Sequence, residues 1–158
     1  MRHAKSAYPD GVADHDRPLA SRGVREAGLA GNWLRDNVPV IGQVLCSSAV
    51  RTRETLGFTH VTAPATYLDR LYGATPGTLI SEVNRVSDET TTLLVVGHEP
   101  TVSQVALGLA DPNDSDRTAI ARITAKFPTS GLAVLSFAGS WSDLRLGSAR
   151  LVTFHVPR

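Results

Sequence analysis

Residues 92–100 read TLLVVGHEP, and the fold turns on how this stretch is parsed. A short unbroken apolar run closed by a glycine fits a strand buried on both faces. Pro100 suits a first helical turn, and Val102, Val105, Ala106 and Leu109 then recur at helical spacing. The chain therefore passes from strand to helix here, and His98 stands at the junction. QVLCSS, residues 43–48, repeats the passage, with a helix expected from about Ala49. Apolar strands alternating with helices define an α/β fold with a largely parallel sheet, in which sites form at the carboxyl ends of strands.

Working outward, residues 21–37 carry Val24, Ala27 and Leu34 on one side of a helix, and PGTLISEVNRV carries Leu79, Val83 and Val86 on another. DPNDSD, residues 111–116, reads as a surface turn or loop. Beyond Gly131 the segments LAVLSF, DLRLG and RLVTFHV read as three short strands. No internal repeat or linker interrupts the chain, and 158 residues suit one domain with a sizeable core.

The net charge of +1, with both signs interspersed, provides no broad field to recruit nucleic acid or an anionic membrane. Any preference for anions must be local. The single cysteine, Cys46, excludes an internal disulfide and, within an apolar run, reads as a small buried residue. No stretch approaches the roughly 20 apolar residues of a membrane span, and no signal-peptide pattern precedes the first motif, so a cytoplasmic protein is expected.

Four residues stand out for chemistry: Arg2 and His3 in RHAKS, Arg51 in SSAVRTRET, and His98. A phosphoryl group in transfer spreads negative charge over three oxygens, and fixed cationic donors with one nucleophile can serve it without a metal. Imidazole can attack phosphorus, and guanidinium presents a planar fork to two oxygens. His3 is the expected nucleophile, with a backbone carbonyl holding its second nitrogen. Arg2 and Arg51 are the expected clamps, and a charged His98 the fourth donor. Arginines flanking the histidines repel cations, and no spacing typical of metal ligands occurs, so no metal or cofactor is expected.

RHAKS, DHDRPLASRG, SSAVRTRET, VVGHEP and FPTSG, taken in this order, resemble the histidine phosphatase (phosphoglycerate mutase-like) superfamily, and within it the small SixA-like phosphohistidine phosphatases. The resemblance runs from Arg2 to about Gly131. It implies a three-layer α/β/α sandwich around a mostly parallel sheet, formed by residues 1–158 as a single domain with a minimal cap. SSAVRTRET resembles the histidine phosphatase pattern of a serine, three residues and an arginine at Ser47 and Arg51, and the resemblance implies a solvated face for Arg53, two residues further round the helix. A family member would carry a hydrophobic strand before the Arg-His pair. Here only Met1 precedes it, so the first strand is expected to be truncated, whether translation starts earlier or the sheet closes another way.

The implied activity is metal-independent phosphohydrolysis through a covalent phosphohistidine intermediate, with a phosphohistidine-bearing protein as substrate. A small-molecule phosphatase acting on nucleotides or sugar phosphates, or a phosphate-binding module without catalysis, are the alternatives. Arg17 matches an arginine of the SixA-like pattern and could line the mouth of the pocket or pair with Asp14 or Asp16. Ser6, Thr129 and Ser130 offer hydroxyls to substrate. Relatives that cleave alkyl phosphates use a carboxylic acid to protonate the leaving oxygen. In YLDRLYGA the matching position holds Arg70, with Asp69 as a fallback, and this favours phosphoramidate or phosphoanhydride substrates.

Overall fold

The computed structural model describes residues 1–158. The elements follow the order α1 (Ser21–Asn37), β1 (Gln43–Ser47), α2 (Val50–Thr59), β2 (Ala65–Leu68), α3 (Pro76–Val83), β3 (Leu93–Val96), α4 (Thr101–Leu109), α5 (Arg117–Ala125), β4 (Leu132–Ser136) and β5 (Arg150–His155). Short 3-10 turns occupy Asp14–Asp16, Asp69–Leu71 and Trp141–Asp143. None of the helices is long and apolar enough to cross a membrane.

The layers arise from the two-residue alternation of the strands. On β1, Val44 and Cys46 pack with Ala30 and Leu34 of α1 and Leu56 of α2. Leu45, between them, points the other way, into a cluster with Leu79 and Val83 of α3 and Val105 and Leu109 of α4. On β3, Leu94 and Val96 join the first cluster while Leu93 and Val95 pack against the second. Helices therefore cover both faces, and the α/β/α sandwich is the observed architecture. Gly31 brings α1 and α2 close together, since a Cβ there would lie 2.0 Å from the Thr59 carbonyl oxygen.

Strands β2, β1 and β3 pair in parallel, with Val44 opposite both Ala65 and Leu94. Strands β4 and β5 form a separate antiparallel pair with an irregularity between Val134 and Leu135. Met1 to His3 passes between the two sheets. Gly97 donates to the Met1 carbonyl and His3 to the Gly97 carbonyl, each at 3.0 Å; on the other side Arg2 donates to Gly131 O at 3.0 Å and Ser130 to His3 O at 3.1 Å. Met1–His3 is thus a three-residue span that joins the carboxyl end of β3 to the amino end of β4. Behind it a cavity of about 910 Å³, lined by Leu94, Val95, Leu132 and Val134 among others, separates β3 from β4.

One local expectation needs correction, and one helix carried no signal in the sequence. DLRLG is not a strand. Asn84 Nδ2 donates to the carbonyls of Trp141 and Leu144 and Asp88 accepts from the Trp141 N–H, so the segment leaves the 3-10 turn at Asp143 and runs on without regular structure, with only Leu144 buried. The chain also forms α5 directly after DPNDSD, capped by Asp116, whose carboxylate accepts from the Ala119 N–H at 2.7 Å. Its buried face consists of Ala119 and Ile123 alone, a pattern too sparse to mark a helix.

Candidate active site

Three strand ends and one helix start build the site. His3 leaves the Met1–His3 span, His98 follows Gly97 at the end of β3, and Arg51 lies in the first turn of α2, just beyond the end of β1. Arg2 is fixed by its Nη1, which donates to Phe127 O at 2.7 Å. The rings of His3 and His98 lie 5.2 Å apart, inclined at 54°. His3, His98 and Arg51 are each less than a tenth exposed. The structure brings the four residues together at the carboxyl edge of the sheet.

His3 Nδ1 lies 2.7 Å from the Ala4 carbonyl. A carbonyl can only accept, so Nδ1 carries the hydrogen and Nε2 keeps its lone pair. Burial pushes the His3 pKa down to about 4, against the Ala4 bond that raises it, with Arg51, Arg2 and Arg17 adding to the depression. Burial, then the charges of His3 and Arg51, take His98 down to about 3. The expected positive charge on His98 is therefore not present in the free site. A desolvated imidazolium beside guanidiniums is disfavoured, and His98 stands as a neutral hydrogen-bond donor.

Ser47 holds one nitrogen of His98. Its Oγ accepts from the Ala49 N–H at 3.4 Å and lies 2.8 Å from His98 Nε2. With the Ser47 hydroxyl on Nε2, the free nitrogen of His98 is Nδ1, which is buried and has no protein partner. Arg2 Nε, Arg51 Nε and Ser130 Oγ are likewise buried and unpartnered. Such atoms are costly to leave unsatisfied, and four of them on site residues mark a place for a polar ligand.

The loop over the site shows what the sequence concealed. Arg51 Nη1 donates to the Asp14 carbonyl at 2.6 Å and Nη2 to Asp14 Oδ2 at 3.1 Å. Tyr72 donates its hydroxyl to the same Oδ2 at 2.6 Å, and its ring stands edge-on to His98 at 5.5 Å and to His15 at 4.9 Å. The Tyr72 hydroxyl first, then Arg17 and Arg51, hold the Asp14 carboxyl far below the usual carboxylate range. Asp14 is thus ionised at any working pH.

The remaining candidates fall around this core. Arg17 pairs with Asp14 at 2.8 Å and donates from Nη1 to Ser6 Oγ at 3.0 Å, so the ion pair weighed for it is formed, and Ser6 serves it as an acceptor. Ser130 is wholly buried with φ of 64°, and Thr129 lies half-buried beside it. Arg53 is exposed over the ring of Tyr67, as expected of a solvated face. Asp69 is exposed, and Arg70 forms an ion pair with Glu82. Cys46 is fully buried, its thiol pushed up to about 12 by desolvation, and is chemically inert.

A protein of Mycobacterium tuberculosis, described as uncharacterized, is 64% identical over 158 residues, the whole of both chains. A solved structure from Nakamurella multipartitia, designated a phosphohistidine phosphatase SixA, is 39% identical with a TM-score of 0.90, over 99% of this chain and 93% of that one. The protein histidine phosphatase SixA complexed with tungstate is 25% identical with a TM-score of 0.78, over 99% and 94% of the two chains. No sequence-family model matches the chain.

Proposed function

Since the chain belongs to the SixA-like branch of the histidine phosphatase superfamily and is a phosphatase of that type, we propose that it hydrolyses phosphohistidine on a protein through a phosphorylated His3. The observation that carries this reading is the bond between His3 Nδ1 and Ala4 O, which leaves a buried, unprotonated Nε2 among guanidiniums. Nε2 attacks phosphorus as the bond to the leaving group breaks, and Arg2 and Arg51 bear the charge on the non-bridging oxygens. Water then attacks the phosphohistidine, releasing phosphate and returning the electron pair to Nε2. The likeness to a protein solved in complex with tungstate, a tetrahedral oxyanion, supports oxyanion binding by this chain.

The carboxylates near the site support an easily departing leaving group. Asp14 is held ionised, and Glu99, next to His98, accepts from the Ser103 N–H at 3.2 Å and its Oγ at 2.7 Å. Neither is poised to protonate an alkoxide. General acid catalysis contributes about 10² to 10⁴ in rate, so alkyl phosphates should lag behind aryl phosphates and phosphohistidine by a comparable margin. The test compares kcat/KM on a phosphohistidine-bearing protein, aryl phosphates, and alkyl monophosphates including a nucleotide, in wild type and Asp69→Asn. Equal rates along the series, or a loss in Asp69→Asn confined to alkyl esters, would replace this reading with a phosphomonoesterase of small metabolites.

A further inference from the structure

We infer that Asp14 is a positioning residue that aims Arg51 at the phosphoryl oxygens. The inference rests on the phosphoryl-transfer reading above and assigns a role that the four-residue constellation does not contain. An arginine side chain has many rotamers, and Arg51 starts from the first turn of α2, where nothing in its own helix holds the guanidinium. The 3-10 turn Asp14–Asp16 does so. Its first residue takes both terminal nitrogens of Arg51, one on the main-chain carbonyl and one on the carboxylate.

The planar fork has two edges, one formed by Nη1 and Nη2 and the other by Nη2 and Nε. Asp14 occupies the first. The second remains, and its Nε is buried without a partner. An oxyanion can therefore receive Arg51 side-on, through Nε and the second hydrogen of Nη2, while Asp14 keeps the end-on edge. The clamp expected of Arg51 is bidentate in this sense only.

Asp14 is itself braced. Oδ1 accepts from Arg17 Nε at 3.0 Å and Oδ2 from the Tyr72 hydroxyl at 2.6 Å, so its carboxylate is held from two directions while its side chain stays 56% exposed at the mouth. A carboxylate there could have another effect: as an anion on the clamp it could compete with phosphate. The geometry favours aiming, because a main-chain carbonyl shares the grip, and the carbonyl cannot be displaced by an anion without moving the whole turn.

The test is a double-mutant cycle with two readouts, binding of orthovanadate by calorimetry and kcat/KM on an aryl phosphate. Asp14→Ala should weaken vanadate binding and lower kcat/KM, each on the order of 10- to 100-fold, as expected for misplacing a group that orients the reacting phosphorus. In the Arg51→Ala background the same change should cost less than about twofold, since the group it aims is gone. Tyr72→Phe, which removes one brace and leaves the turn's backbone contacts, should lose vanadate affinity in the same direction by a smaller factor, and it serves should Asp14→Ala not fold. Equal losses with and without Arg51 would reduce Asp14 to a stabiliser of its loop and overturn the proposal. Tighter vanadate binding by Asp14→Ala would overturn it in favour of competition. Vanadate binding needs no turnover, which separates the two claims. A wild type that binds vanadate with the predicted coupling but hydrolyses none of the phosphorylated substrates would uphold the aiming role and sink the phosphatase reading.

Discussion

His3 and His98 face each other with ring centroids 5.2 Å apart, and burial holds both unprotonated. The pair is linked to pH in a definite direction. Both folded-state pKa values, about 4 and about 3, lie below the 6.5 of a free imidazole. A base depressed on folding binds more protons when unfolded, so stability is intact above pH 6.5 and declines as pH falls from 6.5 through about 4 for His3 and about 3 for His98. We expect the thermal midpoint to drop across that window and His98→Asn to flatten part of the drop. A thermal midpoint that is level from pH 7 to 4 would mean that the rings are solvated.

Ser47 holds the ring of His98 through Nε2. The Ser47→Ala variant removes the group 2.8 Å from Nε2 and leaves a buried nitrogen without a partner. It should cost about 1–3 kcal/mol in urea unfolding. It should also lower kcat/KM on an aryl phosphate, because the ring of His98 is then no longer held in place from Nε2. Unchanged kcat/KM in a destabilised variant would confine Ser47 to a structural part.

Much of this architecture is legible in the chain, and the failures have physical causes. The helix over residues 21–37, the strands in QVLCSS and TLLVVG, and the passage from Gly97 into His98 follow from periodicity and local chemistry, which act over a few residues. The roles of Asp14 and Tyr72 do not. They meet 58 residues apart in sequence across two loops, and neither carries a local pattern beyond the DHDR string that also suggested the Arg17 pair. DLRLG alternates like a strand, yet tertiary contacts from Asn84 and Asp88 decide its shape. The Met1–His3 span is too short to carry a period, and its place between the sheets is set by pairing with Gly97 and Gly131.

Gly31 offers a test of the packing that supports α2 and hence Arg51. A Cβ there would lie 2.0 Å from the Thr59 oxygen and 2.7 Å from its carbonyl carbon, all backbone, so α1 and α2 must part. Helix propensity alone would reward alanine by up to about 1 kcal/mol. We expect Gly31→Ala instead to destabilise by about 3 kcal/mol or more, as overpacking against an unyielding neighbour does. Gly57→Ala on α2, where nothing lies within 4 Å, should be neutral or stabilising. Equal effects of the two on urea midpoints would contradict the close approach of the helices.

The central claim is that His3 carries the phosphoryl group. Wild-type protein quenched during turnover of a radiolabelled phosphohistidine-bearing protein should retain label on the peptide containing His3, stable to base and lost in acid, as a phosphoramidate is. Label on that peptide in wild type, with none in His3→Ala and turnover abolished in a variant that still folds, is the predicted result; turnover by His3→Ala, or label on another residue, would contradict it.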